Sequence, residues 1–476
     1  MSDQLLRAHE VMAYVYDVAN VAYPVSIRDQ MNRAYWLVEK AWDLGFFGSL
    51  RNSKHRKLLV CGAGAAGVAA AIRAAERGVE TVLLESSSAP FYRQRLCRSR
   101  WIDPTQYDWS AEHWIAGVYP HAGPLPLPLH WGAARSHHLA MWWQARLTLA
   151  LATFPHLTLR CPCRATGIPV SVPDPVSGMP SGVRMSFSSG PPEDFGMVLF
   201  TTGFGNERTT CPPDYQGFAF WETDPFELPR WGTKTSEQPR AIISGGGDGA
   251  LQDLIRLATG ARSARQVMDR LLASSWQMPP DVRHFLFTAE DQAQRALLWC
   301  RPASEDEHRA LQTLHDAYVR VVRFLLHEHP DRLKLLKEVR TMLAESPGPV
   351  DLVHPCAHFA RCYALNHFLA VLLAEVSAFE KPVVKPITLW PVRGVQTVAG
   401  KYHVCANNAG LCHGQEHDVQ LVHRPHCVNT PGTPPPTAAE LLAGEVIVVR
   451  HGIAPATGVA TAPMAFARQI LPYHLP

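Results

Sequence analysis

The sequence predicts an α/β protein with two strand–glycine turn–helix units, the second interrupted by a large helical insertion. Three observations carry this. The run KLLVCGAGAAGVAAAIRAAERGVETVLLES, starting at Lys57, reads as strand, glycine turn, helix and strand. The run AIISGGGDGALQDLIRL, starting at Ala241, repeats the first three of those elements. Residues 262–345 then follow helical periodicity, with Leu311, Leu314, Tyr318, Val321, Val322 and Leu325 on one stripe that reads as core.

In the first unit, Lys57 to Cys61 is a short apolar strand, the helix runs from about Ala66 to Arg77, Gly78 stops it, and Thr81 to Glu85 is the second strand. Gly62, Ala63, Gly64, Ala65, Ala66 and Gly67 fit G-x-G-x-x-G. The first glycine permits a tight turn, the second a close approach of backbone to a pyrophosphate, and the third close helix–strand packing. The helix amino terminus presents unpaired N–H groups to the phosphates. Glu85, ending the second strand, suits the two hydroxyls of a ribose. Gly62, Ala63, Gly64, Ala66, Gly67 and Glu85 are therefore candidate dinucleotide-binding residues.

The segment from Val60 to Glu85 resembles the amino-terminal unit of the flavoprotein superfamily with two dinucleotide-binding folds, the group of glutathione reductase-like enzymes, flavin monooxygenases and amine oxidases. The resemblance implies a Rossmann-type FAD-binding domain. It extends by order of elements over about residues 57–260, with only the glycine turns specific. In that family a strand ending in Thr-Gly returns the chain beside the flavin nucleotide; here the pair is Thr202-Gly203, after Met197 to Thr201. Gly245, Gly247 and Ala250 resemble the NAD(P)H-binding turn of thioredoxin reductase-like and monooxygenase-like members, with Gly249 where the family usually has Ser. The strand expected next is not evident, because the chain continues as helix through Arg262, Arg265 and Leu271. Either NADH or NADPH binds differently here, or the turn is a structural remnant.

The expected organisation is a helical extension over 1–55, the FAD-binding domain over 56–210, a second dinucleotide-binding-like unit over 211–260, the helical insertion over 261–380 and a strand-rich segment over 381–476 that completes the core. Leu5, Leu6, Val11, Met12 and Val15 set the helical reading of the extension, which is expected to pack rather than to act. A proline-rich linker, Pro431 to Pro436, leads to an expected short helix and the strand Glu445 to Arg450.

Composition narrows the function classes. A formal charge of +3 over 476 residues does not point to nucleic acid, and no like-charge run marks a binding arm. No apolar run is long enough for a spanning helix and no leader is evident, so the expectation is a cytoplasmic protein with reduced thiols, its homo-oligomerisation open. There is no C-x-x-C, which argues against disulfide reductase chemistry. Arg93, Arg95, Arg98, Arg100, Asp103, Tyr107, Asp108, Trp109, His113 and Trp114 form a stretch readable as an active-site loop or as packed surface; no catalytic base is assigned from it. His403, Cys405, Cys412, His413, His417, His423, His426 and Cys427, the pair His137-His138, and the run from His354 to His358 match no zinc spacing, so no metal is expected. Arg450-His451-Gly452 resembles the histidine phosphatase motif, but too little chain follows, and it reads as a strand end.

The expected function is an FAD-dependent oxidoreductase reduced by NADH or NADPH and acting on a small-molecule substrate, as reductase or monooxygenase. An amine or amino-acid oxidase needing no nicotinamide, and a non-catalytic dinucleotide-binding interaction protein, are the alternatives.

Overall fold

The computed structural model describes residues 4–18, 26–47, 57–104, 106–110, 129–203, 205–211, 215–222, 224, 241–274, 276–301, 304–346, 348–354, 356–379, 387–391, 394–397, 417–422, 440–444 and 446–453. The Cys/His-rich run from His403, apart from the backbone of 417–422, lies outside them, as do His113, Trp114 and the linker from Pro431 to Pro436. Contacts divide the chain into two units: Met1–Arg98, Pro120–Asn206 and Ala454–Pro476 form unit 1, and Ser99–Tyr119 with Glu207–Ile453 form unit 2.

Unit 1 contains α1 (Gln4–His9), β1 (Glu10–Met12), β2 (Val15–Asp17), α2 (Ile27–Asp43), β3 (Leu58–Cys61), α3 (Ala65–Glu76), β4 (Thr81–Leu84), α4 (Tyr92–Leu96), α5 (Ser136–Thr153), β5 (Leu157–Arg160), β6 (Ala165–Pro173), β7 (Pro180–Phe187), β8 (Glu193–Phe195) and β9 (Met197–Phe200). Its main sheet has the order β1-β2-β9-β3-β4-β5, parallel except for the β1–β2 hairpin. In chain order, β3, β4, β5 and β9 give the 3-2-1-4 arrangement of a Rossmann half. The central strands LLVC, TVLL and MVLF are fully buried, as parallel strands covered on both faces must be. β6, β7 and β8 form the antiparallel meander.

The amino-terminal reading needs correction. Leu5 and Leu6 lie on a helix, but Val11, Met12 and Val15 lie on a hairpin whose second strand pairs with β9, Val15 opposite Val198. Over so short a window apolar residues fit either period, and the exposed edge of β9 selects strand. α2 packs on α3 and is tied to it by Glu39, whose carboxylate accepts from Arg73 and Arg77 at 2.6–3.0 Å.

Unit 2 contains β10 (Ala241–Ser244), α6 (Asp248–Thr259), α7 (Ala264–Ala273), α8 (Pro280–Leu297), α9 (Glu305–His327), α10 (Arg332–Ala344), β11 (Val350–His354), α11 (Ala364–Phe379), β12 (Ile387–Pro391), β13 (Gly394–Thr397), β14 (His417–Val422), β15 (Glu440–Gly444) and β16 (Val446–Val449). Its main sheet, β12-β11-β10-β16, is all parallel and is again 3-2-1-4 in chain order. The strand that the sequence hides is β11, postponed by α7–α10. The stripe Leu311, Leu314, Tyr318, Val321, Val322 and Leu325 is buried, and so is α11 from Leu365 through Val376 apart from Glu375, as a central helix requires. The short helix expected after the linker is instead β15, antiparallel to β14.

Candidate functional site

The glycine turn of unit 1 is built by close approach. Gly62 has φ +111°, and a Cβ there would stand 2.7 Å from the Thr201 carbonyl oxygen. A Cβ on Gly67 would stand 1.8 Å from the Gly62 carbonyl oxygen and 2.5 Å from Thr201 Oγ1. Thr201 locks this arrangement: its hydroxyl donates to the carbonyls of Cys61 and Gly62 at 2.9 and 2.8 Å. Gly64 differs. Its φ of −78° suits any residue, and nothing lies within 4 Å of the Cβ position. It is the N-cap of α3 and supplies no side-chain cap, although Ser, Asp or Asn is preferred there. The first N–H groups of α3, which have no intrahelical partners, are thereby left without a side-chain cap at the positive end of the helix dipole.

Glu85 is buried and accepts from the N–H groups of Ala63 (3.0 Å) and Ser87 (2.7 Å). It therefore braces the turn. Its two carboxylate oxygens retain lone pairs, so bracing does not preclude contact with ribose hydroxyls. Phe91, in the left-handed region at φ +55°, donates its N–H to the Ala63 carbonyl and starts α4. Thr202 and Gly203 follow β9 exposed beside the turn, Gly203 at φ +79°. The sequence reading singled out Thr202-Gly203 and missed Thr201, the residue that touches the glycines.

Strand register sets unit 2 against this frame. Cys61 stands opposite Leu84 and Phe200; Ser244 stands opposite Val353 and Val449. By register Gly245 corresponds to Gly62, Gly247 to Gly64, Asp248 to Ala65, Ala250 to Gly67, His354 to Glu85, and Arg450-His451-Gly452 to Thr201-Thr202-Gly203. Gly245 (φ +142°) again faces a strand-end carbonyl, that of Arg450, 2.3 Å from its Cβ position. Gly247, like Gly64, has nothing within 4 Å. Gly249 is explained by packing, its Cβ position 3.3 Å from the Phe220 ring. Arg450-His451-Gly452 is a strand end, as expected. Its equivalence to Thr201-Thr202-Gly203 has no sequence signal, because no residue but the glycine is shared.

The side chains of the second turn are engaged with the protein. Asp248 accepts from the Tyr363 N–H, Asn366 and Gln252 at 2.6–3.1 Å; burial nonetheless raises its pKa to about 6. Arg450 enters a buried network with Arg100, Arg256, Asp224 and Asp253: Arg450 Nε–Asp253 is 2.9 Å, Arg256–Asp224 2.7 Å and Arg100–Asp224 2.9 Å. Burial would push the Asp253 carboxyl up, but the charges of Arg100 and Arg450 outweigh it and hold it at about 2. Ser244 Oγ and His451 Nε2 are 2.7 Å apart.

The candidate active-site loop is divided. Arg93 lies in unit 1, its guanidinium 3.3 Å from the Gly205 carbonyl. Arg100 is neutralised in the network, Tyr107 packs on Tyr363, and Trp109 stacks on Phe368 at 4.9 Å, all within unit 2. Arg100 is thus engaged by ion pairs, and Tyr107 and Trp109 by ring contacts. Cys161 is the more exposed member of Cys161-Pro162-Cys163; its thiol donates to the Ser87 carbonyl.

At the carboxyl end of β11, unit 2 gathers histidines that the sequence scatters. His354 is buried, with its pKa lowered to about 4 by burial. His315 Nδ1 is 3.0 Å from His367 Nε2, and His308 Nδ1 is 3.2 Å from His358 Nε2.

Residues 57–91 match the FAD binding domain family. The match covers the glycine turn, Glu85 and the chain to Phe91. No curated protein sequence matches the chain. Among solved structures, the chain is similar to bacillithiol disulfide reductase Bdr of Staphylococcus aureus (8% identity, 84% of this chain and 77% of that one covered, TM-score 0.38). It is similar to thioredoxin reductase of Lactococcus lactis (11%, 86% and 80%, TM-score 0.36). It is also similar to OTEMO in complex with FAD and NADP (12%, 85% and 72%, TM-score 0.37). Likenesses this distant carry no functional weight. Among the described residues no helix is long and apolar enough to cross a membrane.

Proposed function

We propose that this chain is an FAD-dependent oxidoreductase acting on a small-molecule substrate, with FAD held in unit 1. The observation that carries the reading is Gly64. Neither its backbone angles nor any neighbouring atom requires glycine there, and a capping side chain is forgone. A pyrophosphate lying against the turn accounts for both, and the match over 57–91 names the nucleotide as FAD.

Gly62, Ala63, Gly64, Ala66 and Gly67 cradle the pyrophosphate, Glu85 accepts from the ribose hydroxyls, and Thr202 and Gly203 line the returning strand. FAD, when bound, supplies the two-electron chemistry. The chain positions it: α3 directs its N–H groups at the phosphates, and Thr201 and Gly67 hold the helix against the strands so that this direction is fixed.

Gly245, Gly247 and Ala250 are the residues for a reduced nicotinamide, supported by the open space at Gly247. A second reading, an oxidase reduced by its own substrate, is favoured by two observations. Asp248 places a carboxylate in the second turn, and His354 stands where unit 1 has Glu85. Anaerobic mixing of the flavin-loaded chain with NADPH or NADH decides between them. Bleaching of the flavin band supports the nicotinamide-reduced enzyme; no bleaching with either, together with bleaching by an amine or amino acid, supports the oxidase. A flavin that no donor reduces overturns both.

A further inference from the structure

We propose that His308, Cys356 and His358 form a binding site for one zinc-type divalent cation in unit 2. The residues come from two places: His308 from the first turn of α9, Cys356 and His358 from the segment after β11. One ligand atom from each lies within 4.8 Å of the others. His308 Nδ1 is 3.2 Å from His358 Nε2, and Cys356 Sγ is 3.6 Å from His308 Nδ1. Around a tetrahedral zinc with Zn–N of about 2.0–2.1 Å and Zn–S of about 2.3 Å, two nitrogens stand about 3.4 Å apart, and a nitrogen and a sulfur about 3.6 Å apart. The two spacings that involve His308 Nδ1 are close to those of a tetrahedron's edges, and the third ligand pair lies within 4.8 Å.

A second feature points the same way. His358 Nδ1 lies 2.8 Å from the carbonyl oxygen of Phe359, so it carries the proton and donates it. The lone pair is then on Nε2, the atom that faces His308. A ligating histidine anchored through its other nitrogen by a backbone carbonyl is the usual outer-shell arrangement of a metal site. His358 is buried, while His308 and Cys356 are half-buried and so partly open to solvent. Two imidazoles and a thiolate suit zinc over magnesium or calcium. Binding releases the Cys356 thiol proton to solvent and involves no redox step. The site stands at the carboxyl edge of a parallel sheet, the edge where α/β folds bind ligands.

Cobalt(II) is the probe, added to the untagged full-length chain after chelator dialysis. One equivalent is expected to give tetrahedral visible bands and a thiolate-to-cobalt charge-transfer band, both removed by zinc. Cys356→Ser should abolish the charge-transfer band, and His308→Ala should weaken binding about tenfold or more. A triple variant with Cys405, Cys412 and Cys427 each changed to Ser should retain the bands. A band that survives Cys356→Ser, or disappears in the triple variant, overturns the assignment, as does no charge-transfer band at all. Alkylation of Cys356 in the unsubstituted chain, followed by mass spectrometry, gives an answer independent of folding. Zinc should slow it, and equal rates with and without zinc overturn the proposal.

Discussion

Units 1 and 2 share a 3-2-1-4 parallel sheet, a glycine with positive φ closing the turn after the first strand, and another at the end of the fourth, Gly203 at +79° and Gly452 at +78°. They part company in the side chains. Unit 1 puts Ala65, Glu85 and Thr201 where unit 2 puts Asp248, His354 and Arg450. Thr201 spends its hydroxyl on the turn itself; Arg450 sends its guanidinium into α6 and the Arg/Asp network. The same backbone thus carries a turn with no charged side chain in one unit and a turn with engaged, charged side chains in the other.

The first contrast is at the fourth-strand position. Arg450→Met removes one of three guanidiniums around Asp253, leaves Arg100 and Arg256 paired with it, and should destabilise unit 2 by about 1.5–3 kcal/mol. Thr201→Val removes a hydroxyl and should cost about 1–2 kcal/mol in unit 1. Denaturant unfolding followed by flavin release and by far-UV circular dichroism separates the two. Equal losses would mean that the positions are not used differently.

Next is the third turn position. Gly67→Ala drives a methyl group into the Gly62 carbonyl and should cost about 3 kcal/mol, with most of the flavin lost on purification. The reciprocal Ala250→Gly should cost about 1 kcal/mol and leave flavin content unchanged. The second position sharpens the ligand claim. Gly64→Ala meets no other atom of the chain, and as the poorer N-cap it should lower apo stability by only about 0.5–1 kcal/mol. FAD affinity should fall about 10–100-fold, read by fluorescence titration, as a misplaced phosphate contact worth about 1.4–2.8 kcal/mol implies. Gly247→Ala should leave FAD affinity alone and weaken only NAD(P)H.

The added amino-terminal layer, which unit 2 lacks among the described residues, gives a pH-dependent effect. Burial raises the Glu39 carboxyl, but hydrogen bonds from Arg77 and Arg73 outweigh this and bring it from 4.5 to about 2. A folded pKa below the unfolded one means that the contribution is complete above about 4.5 and lost as pH falls toward 2. Glu39→Gln should lower stability by about 1–2 kcal/mol at pH 7 and by less at pH 3, measured as the shift in unfolding midpoint.

What was legible in the sequence was local. Gly62 to Gly67 and the strands beside it lie within one short run, so turn, helix and acid could be read together. β11 was not legible as the second strand of its unit, because α7–α10 intervene and nothing in VDLVH names its partner. Val11, Met12 and Val15 misled because their pairing partner, β9, is far along the chain. The histidine site was invisible for the same reason: Cys356 and His358 gain meaning only when α9 delivers His308. Arg100, readable in the sequence as part of an active-site loop or of packed surface, is paired with Asp224 and Asp253, both distant in sequence.

The most direct measurement is the absorption spectrum of the purified chain with quantitation of what it releases on denaturation. The account expects flavin bands and close to one FAD per chain, recovered by adding FAD to any apoprotein and sharply reduced in Gly67→Ala. A colourless, folded chain that fails to take up added FAD would contradict it.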